Sequence, residues 1–296
     1  MNVFVKLSLI GLCSLLFSCG GGGGGCDSSQ PQSSTLVSLG TIKSDGLQST
    51  ALHRQMSFRI YLPPAYSATT RYPVLYLLYG YGGNQDSFFG GFLDLHSVAD
   101  RLIAARSIDP LIIVVPDYAN SFAVNSTPEQ GTNTSGGTIG LYEDYLMQEL
   151  VPYVDHHYST LATREKRSVG GFSMGGYAAL YLGFRYPDKF SKVGGHSAAL
   201  WDYTDTDQFT GQRDWLYPTP ALRAQRDPLL LATTVDLRSL KVYLDAGSSD
   251  ALLAKDRKLA GILQSSGVNV EWHEGSGGHE RAYWQSKLEN YLRFYN

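Results

Sequence analysis

The sequence predicts an α/β domain with a mostly parallel central sheet and helices on both faces of that sheet. Two observations point to this class. Almost wholly apolar runs, typical of strands buried on both faces, alternate along the chain with stretches of helical spacing. Residues able to carry chemistry directly follow several of these runs, and the carboxyl ends of parallel strands meet at one edge of a sheet.

The individual elements follow from apolar periodicity and from turn residues. The predicted strands are, in chain order, two alternating strands within 36–62, Tyr72–Tyr79, Leu111–Pro116, Lys166–Gly170, Phe190–Gly194, Leu240–Ala246 and Val268–His273. The predicted helices are Leu95–Arg106, Leu141–His157, Met174–Tyr186, Asp256–Ser265 and Ala282–Phe294.

Polar and cyclic residues support several of these boundaries. The paired prolines at 63–64 end the second edge strand, and Pro187 ends the helix that begins at Met174. Glu143 and Asp144 stand in the first turn of their helix, where acidic residues are favoured. Two segments lack regular periodicity, and we expect a long loop over Asp117–Gly140 and an excursion over Trp201–Asp236. The loop and the aromatic-rich part of the excursion, Trp201–Tyr217, are expected to shape the acyl and alcohol sites.

Length and composition fit a single folded domain at 36–296. The chain has 296 residues, of which 43% are hydrophobic and 17% charged, so a large core is available. A formal net charge of −3 without a basic cluster argues against nucleic acid as a partner. The three cysteines, Cys13, Cys19 and Cys26, precede this domain, which is therefore expected to use neither disulfides nor thiol chemistry.

The first 18 residues have the features of an export signal. Lys6 precedes the apolar run Leu7–Phe17, which is too short to span a bilayer comfortably. The pattern up to Cys19 resembles a bacterial lipoprotein signal, in which Cys19 becomes the lipidated first residue; an ordinary secreted protein is the alternative. Residues 19–35, rich in Gly and Ser, are then a flexible tether. The sequence thus predicts export and a lipid anchor on a bacterial membrane, facing the periplasm or the cell exterior.

The segment Gly171-Phe172-Ser173-Met174-Gly175 is a G-x-S-x-G pattern between a predicted strand and a predicted helix. This is the context of a nucleophile elbow, in which the serine has a strained backbone and the glycines avoid clashes. The helix behind Ser173 directs free N–H groups at the reacting centre. The G-x-S-x-G pattern alone is frequent in glycine-rich chains, so a plain strand-to-helix turn without catalytic function is the alternative. Whether Ser173 is a nucleophile therefore depends on whether the chain also supplies a base and an acid for it.

A serine hydroxyl needs an adjacent base near neutral pH, and histidine is the usual one. Where a serine sits on such an elbow, the acid and then the histidine follow it along the chain. His279 lies in a glycine-rich loop after the last predicted strand, whereas His196 precedes any plausible acid and His273 lies within a strand. We therefore predict His279 as the general base.

The acid is predicted to be Asp250, in the loop after the strand Leu240–Ala246. Asp245 lies inside that strand, where it would point into the sheet or a helix layer, and is the alternative. Glu280 neighbours the base, but a solvated role is expected for it. The oxyanion hole is predicted to use the backbone N–H of Met174 and the N–H of Tyr81, in the glycine-rich turn after Tyr79.

These segments resemble the esterase D and feruloyl esterase-like family of the α/β-hydrolase superfamily, which also includes acetyl-xylan esterases, S-formylglutathione hydrolase and mycolyltransferases. The resemblance covers nearly the whole domain. It is carried by Gly171-Phe172-Ser173-Met174-Gly175-Gly176, Tyr142-Glu143-Asp144, Tyr186-Pro187-Asp188-Lys189-Phe190 and Gly277-Gly278-His279. It implies an α/β-hydrolase fold with Ser173 as nucleophile, Asp250 as acid, His279 as base and an oxyanion hole at Tyr81 and Met174. One departure is Tyr79, where the family commonly has histidine, so the oxyanion loop is expected to be set differently while activity survives.

The sequence therefore predicts a serine carboxylic-ester hydrolase that works through an acyl-enzyme, with no metal and no cofactor. Its expected substrates are small acyl or hydroxycinnamoyl esters, including esters on polysaccharide. An acyltransferase or a siderophore esterase would use the same acyl-enzyme and is the alternative within the enzyme class. A surface binding protein on a catalytically dead hydrolase scaffold is the alternative from another class, and the ordered triad argues against it.

Overall fold

Eight strands form one central sheet in the computed structural model, which describes residues 39–128, 136–204 and 211–296. Two more strands, β5 and β6, form a separate short pair. The strands are β1 (Thr41–Ser49), β2 (Arg54–Leu62), β3 (Val74–Leu78), β4 (Ile112–Pro116), β5 (Asn125–Ser126), β6 (Gly140–Leu141), β7 (Arg167–Phe172), β8 (Lys192–His196), β9 (Lys241–Gly247) and β10 (Asn269–Gly275). The predictions for residues 1–35, including the signal, the tether and lipidation at Cys19, lie outside the described residues.

The central sheet is mostly parallel and has the strand order β1-β2-β4-β3-β7-β8-β9-β10. β1 pairs antiparallel with β2, and β2 pairs antiparallel with β4. All the remaining neighbours, from β4 through β10, pair in parallel. The predicted α/β class is therefore confirmed, and the two alternating strands predicted within 36–62 stand at an edge of the sheet.

Helices connect these strands and cover the sheet. They are α1 (Leu95–Ala104), α2 (Tyr142–Asp144), α3 (Val151–His157), α4 (Met174–Arg185), α5 (Gln212–Leu216), α6 (Pro220–Arg226), α7 (Pro228–Thr234), α8 (Leu253–Ser265) and α9 (Arg281–Tyr295). A π-helical segment, Tyr145–Leu150, joins α2 to α3, so the helix predicted over 141–157 is present but is not uniformly α-helical. Within the described ranges, no helix has the length and apolar character needed to cross a membrane.

The two helix layers lie on opposite faces of the sheet. Successive residues of a strand point to opposite faces. On β8, a Cβ at Gly194 would meet the hydroxyl of Tyr295, in α9, whereas a Cβ at Gly195 would meet Leu180, in α4. Helix α1 packs against α9, and α7 packs against both α4 and α8. Strands β3, β4 and β7 are wholly buried between these layers, and the sequences of β3 and β4 are apolar throughout.

The irregular excursion expected over Trp201–Asp236 is corrected by the structure, because its described part contains three short helices, α5 to α7. The Thr219 side chain accepts a hydrogen bond from Leu222 N at 3.2 Å, and Asp227 accepts one from Leu229 N at 2.9 Å. A proline at the first helical position follows each of these caps. The Thr-Pro and Asp-Pro pairs in the sequence indicate helix starts. Helices of five to seven residues, however, are too short to show a periodic apolar face.

Two segments that carry the family resemblance contact each other at a buried carboxylate. Glu143, at the start of α2, accepts hydrogen bonds from the Tyr181 hydroxyl at 2.5 Å, the Tyr186 hydroxyl at 2.6 Å and Arg185 Nε at 3.1 Å. These donors compensate the loss of water around the charge. They also fix α2 against α4, the helix that begins directly behind Ser173.

Candidate active site

Ser173 occupies a sharp turn between β7 and α4. Its backbone has φ 57° and ψ −121°, a conformation that residues with a Cβ rarely adopt. The turn brings backbones together so closely that a Cβ at Gly175 would lie 1.9 Å from the carbonyl oxygen of Leu78. The Ser173 N–H donates to the carbonyl of His196 at 2.9 Å, which ties the turn to the end of β8. The strained elbow expected from the G-x-S-x-G pattern is therefore present.

The structure joins the three predicted triad side chains into one hydrogen-bonded chain. Ser173 Oγ lies 2.8 Å from His279 Nε2, and His279 Nδ1 lies 3.0 Å from Asp250 Oδ2. The three residues follow β7, β10 and β9, so they meet at the carboxyl edge of the parallel sheet. The Asp250 side chain is fully buried, whereas the His279 side chain is 35% exposed. Water is thus excluded from the acid while the base remains accessible to a substrate.

Backbone contacts hold the acid and the base in register. We call residues 247–250 the acid loop and residues 275–279 the base loop. The Ser248 N–H donates to the Gly275 carbonyl at 2.7 Å, and the Ser249 N–H donates to the Gly277 carbonyl at 2.9 Å. Main-chain hydrogen bonds therefore join the loop that carries the acid to the loop that carries the base.

The surroundings of Asp250 favour its ionised form. Burial alone would raise the pKa of Asp250, but hydrogen bonds from His279, the Leu252 N–H and Ser197 together hold this pKa below its usual range. Ser197 is fully buried and also accepts a hydrogen bond from Trp284 Nε1 at 3.2 Å. An ionised Asp250 can accept the Nδ1–H of His279 and stabilise the imidazolium that forms during catalysis.

Asp245, the alternative acid, belongs to a different cluster. Its side chain is fully buried and points into the α9 layer. Asp245 accepts hydrogen bonds from the Tyr283 hydroxyl at 2.9 Å and the Tyr291 hydroxyl at 2.8 Å, and its other oxygen lies 2.7 Å from His196 Nδ1. The structure therefore brings Asp250, and not Asp245, to His279.

The predicted oxyanion groups border Ser173. The Gly83 N–H donates to the Gly80 carbonyl at 3.0 Å, which closes a tight turn after β3. Tyr81 lies in this turn and lines the same cavity as Ser173, and Met174 is the first residue of α4. The donation of hydrogen bonds by the Tyr81 and Met174 N–H groups to an oxyanion stays a prediction.

Tyr79, the departure from the family pattern, connects the oxyanion turn to the segment after β4. Its buried hydroxyl donates to Asp117 Oδ1 at 3.0 Å and accepts from the Tyr118 N–H at 3.0 Å. The hydroxyl of Tyr118 donates in return to the Tyr79 carbonyl. These bonds set the backbone that leads into Gly80 and Tyr81, so a tyrosine here has its own means of fixing the turn.

A cavity of about 600 Å³ opens at Ser173 and has one markedly aromatic side. We call Phe92, Phe172 and Trp284 the aromatic wall. The Phe172 ring stacks on Trp284 with centroids 4.6 Å apart and on Phe92 with centroids 5.9 Å apart. The Trp284 ring also meets the His279 ring edge-on at 5.1 Å. The wall therefore runs from the base along one side of the cavity.

The origin of these walls bears on one expectation from the sequence. The long segments 117–140 and 201–217 were expected to shape the substrate site, but their described parts do not line this cavity. Its walls come instead from residues 80–92, from Phe172 and from the start of α9. Residues 129–135 and 205–210 lie outside the described residues. Sequence reasoning missed the aromatic wall, although the Phe-Phe-Gly-Gly-Phe run at 88–92 was a visible signal.

A buried carboxyl beside the acid loop makes stability depend on pH. Asp256, in the first turn of α8, is fully buried, and neither of its oxygens makes a well-formed hydrogen bond to a described residue. Burial, followed by the nearby charges of Asp250 and Asp245, raises the pKa of Asp256 well above its usual range, although the Ala198 N–H favours the charged form. The helix N-terminus contributes at most about 2 kcal/mol in the opposite direction, less than the cost of burying a charge.

We expect Asp256→Asn to stabilise the protein at pH 8 relative to wild type but not at pH 4. The raised folded-state pKa means that the contribution of Asp256 to wild-type stability is greatest below the unfolded-state pKa, near 4, and declines as the pH rises towards the folded-state value. The decline amounts to about 1.4 kcal/mol per pH unit, and a neutral amide does not incur it. Urea unfolding of both proteins at pH 4, 6 and 8 measures the difference. A difference that stays constant across this range would contradict a buried, protonated Asp256.

The fold and the hydrogen-bonded chain at Ser173 define an α/β-hydrolase of the serine type. Comparison with known proteins agrees. A solved structure of a ferulic acid esterase superposes with a TM-score of 0.73 and 25% identity, covering 87% of this chain and 98% of that one. The family described as "Putative esterase" matches residues 49–295, and the chain belongs to this family. The domain that these residues form is a serine ester hydrolase.

Two sequence relatives extend the comparison. An acetyl esterase of Caldicellulosiruptor saccharolyticus is 24% identical over 230 residues, which cover 73% of this chain and 80% of the relative. Endo-1,4-beta-xylanase Y of Acetivibrio thermocellus is 29% identical over 143 residues, or 45% of this chain. The match spans only 12% of the length of that xylanase, so the similarity concerns one part of a much longer protein.

Proposed function

We propose that this carboxylic-ester hydrolase acts through an acyl-enzyme on Ser173. Ser173 Oγ attacks the ester carbonyl carbon while its proton passes to His279 Nε2. The tetrahedral intermediate collapses, the alcohol leaves with the proton from His279, and the acyl group stays on Ser173. Water then attacks the acyl carbon and gives a proton to His279, and the acid is released as Ser173 Oγ recovers that proton. The 2.8 Å contact between Ser173 Oγ and His279 Nε2 is the observation that carries this proposal.

The developing oxyanion is the second requirement of this reaction. The N–H groups of Met174 and Tyr81 are proposed to donate to it from two sides. Met174 stands at the first position of α4, where backbone N–H groups lack partners within the helix. Such preorganised donors typically contribute 10²- to 10³-fold each to kcat. The hydrogen bonds of Tyr79 keep the turn that carries Tyr81 in place.

We propose esters of small or hydroxycinnamic acids as substrates, with the acyl group against the aromatic wall. A planar aromatic acyl group gains stacking contacts there, whereas an acetyl group needs only the space next to Ser173. A cavity of about 600 Å³ has the size of a small-molecule site. The names of the relatives, an acetyl esterase and a ferulic acid esterase, support both acyl classes.

Replacing Phe92 by alanine is expected to lower kcat/KM for methyl ferulate about tenfold while changing methyl acetate hydrolysis less than about threefold. Phe92 is 38% exposed, so its truncation removes a contact surface for the acyl group without opening the core. Both esters release methanol, so the difference between them isolates the acyl group. Mass spectrometry of the wild-type enzyme mixed with methyl ferulate should find the feruloyl mass on the peptide that contains Ser173.

Tyr203→Ala serves as the matched control, because Tyr203 is 42% exposed and lies outside the cavity lining. It should leave both substrates unaffected. Equal losses on methyl ferulate and methyl acetate in Phe92→Ala would contradict the acyl assignment. A wild-type enzyme that hydrolyses neither ester would contradict the proposed substrate class.

We further propose that the protein is exported and tethered to a membrane surface through a lipid on Cys19, and that its natural esters are attached to polysaccharide. The short apolar run before Cys19 and the Gly- and Ser-rich residues after it support the anchor. The similarity to part of a protein named as a xylanase supports the polysaccharide. Partition of the protein from a bacterial host into detergent tests the anchor, and release of acid from acetylated xylan tests the polysaccharide.

A further inference from the structure

The start of α9 is hydrogen-bonded to the buried carboxyl group of Asp245. Tyr283, in the first turn of α9, is 2% exposed, and its hydroxyl donates to Asp245 at 2.9 Å. Asp245 is fully buried and is also held by His196 on the neighbouring strand. Because α9 begins two residues after His279, any shift of its first turn is transmitted directly to the proposed base.

The ring of Tyr283 also supports the base loop. A Cβ at Gly277 would lie 3.1 Å from Tyr283 Cδ2, and a Cβ at Gly275 would lie 3.2 Å from Tyr283 Cε2. The ring therefore lies against the two glycines whose carbonyls accept the hydrogen bonds from the acid loop. One side chain thus contacts the segment that carries His279 and is anchored, through its hydroxyl, to the sheet.

We propose that Tyr283 is a positioning residue for His279. This inference rests on the proposed function, in which His279 is the general base. The Tyr283 hydroxyl fixes the ring, the ring fixes the base loop, and the base loop fixes the imidazole between Ser173 and Asp250. Asp245, which sequence reasoning considered as the acid, acts in this arrangement as the anchor of the base loop.

Tyr291 provides a control for this role within the same cluster. Its hydroxyl donates to the same Asp245 oxygen at 2.8 Å, and its side chain is also buried, at 6% exposed. Tyr291 lies two turns further along α9, where its ring stacks on His196 with centroids 3.6 Å apart. Loss of either hydroxyl removes one hydrogen bond to the same carboxylate, but only Tyr283 packs against the base loop.

The test compares Tyr283→Phe with Tyr291→Phe in the full-length protein. Both variants keep the aromatic ring, so both are expected to fold, with falls in Tm that agree within about 2 °C. Tyr283→Phe should lower kcat for methyl acetate at least about tenfold with KM little changed, because small displacements of a catalytic group are costly. Tyr291→Phe should change kcat less than about threefold. The rate at which a fluorophosphonate labels Ser173 should follow the same order, since that reaction also needs the base.

Equal effects of the two variants on kcat and on labelling would overturn the positioning role and would leave the proposed function intact. The same holds if Tyr283→Phe raises KM alone, because that pattern reports substrate binding and not the placement of the base. If Ser173→Ala kept wild-type activity, the proposed function itself would fail, whatever the tyrosine variants show. The two failures are therefore distinguishable.

Discussion

Replacing Ser173 by alanine is expected to lower kcat about 10⁴- to 10⁶-fold while KM changes little. The hydroxyl is the only part of Ser173 that the acyl-enzyme mechanism uses, and its loss leaves His279 without a proton to accept. Residual activity would come from substrate binding and from the oxyanion donors. Steady-state hydrolysis of methyl acetate and methyl ferulate measures the loss, and a fluorophosphonate should label the wild-type protein but not the variant.

Ser276→Ala is the appropriate comparison, because Ser276 is an exposed serine in the base loop. It should keep activity within about threefold and should still be labelled at Ser173. Near-wild-type turnover by Ser173→Ala would contradict the acyl-enzyme proposal. The unfolding midpoint of Ser173→Ala shows whether the variant is folded. Because the Ser173 hydroxyl is only half-buried, we expect its removal to leave the fold intact.

Asp250→Asn is expected to lower kcat about 10³- to 10⁴-fold with little change in KM. The Asn amide would donate a hydrogen bond to His279 Nδ1, so the imidazole would carry its proton on Nε2. That tautomer presents an N–H to Ser173 Oγ and cannot accept the serine proton. The fall in kcat should exceed what the loss of one negative charge explains, because His279 stays in place but is held in the wrong tautomer.

Glu280→Gln supplies the control for charge alone. Glu280 follows His279 in the chain, and its side chain accepts a hydrogen bond from the Gly278 N–H at 3.1 Å. Its neutral analogue should cost less than about threefold in kcat, because an amide oxygen can accept the same hydrogen bond. Comparable losses in Asp250→Asn and Glu280→Gln would show that a nearby negative charge, and not the Asp250 contact, supports the base.

The parallel sheet was predictable because its central strands β3 and β4 are buried on both faces and have apolar sequences that stand out from their surroundings. The short helices α5 to α7 were not, because so few turns give no periodic face. The π-helical segment at Tyr145–Leu150 was also invisible, since it differs from an α-helix only in its hydrogen-bond register. Local sequence specifies the class of an element, whereas these details depend on what the element packs against.

Proximity of Ser173, Asp250 and His279 was predictable because each follows a strand and parallel strands end at one edge. The residues that hold these three side chains in place could not be predicted. Ser197 is a lone serine without a pattern, and its bonds to Asp250 and Trp284 exist only through the meeting of β8, the acid loop and α9. The aromatic wall likewise joins Phe92, Phe172 and Trp284 from three distant segments.

The main-chain hydrogen bonds between the acid loop and the base loop allow an inactive, open state of the enzyme to be detected by hydrogen exchange. The amide hydrogens of Ser248 and Ser249 are held by Gly275 and Gly277, so they exchange with solvent deuterium only when the two loops separate. Such a separation also parts Asp250 from His279. Isotope exchange at these two amides therefore measures the fraction of molecules in which the two loops are separated. A steady-state turnover rate does not report this fraction, because it averages over active and inactive molecules.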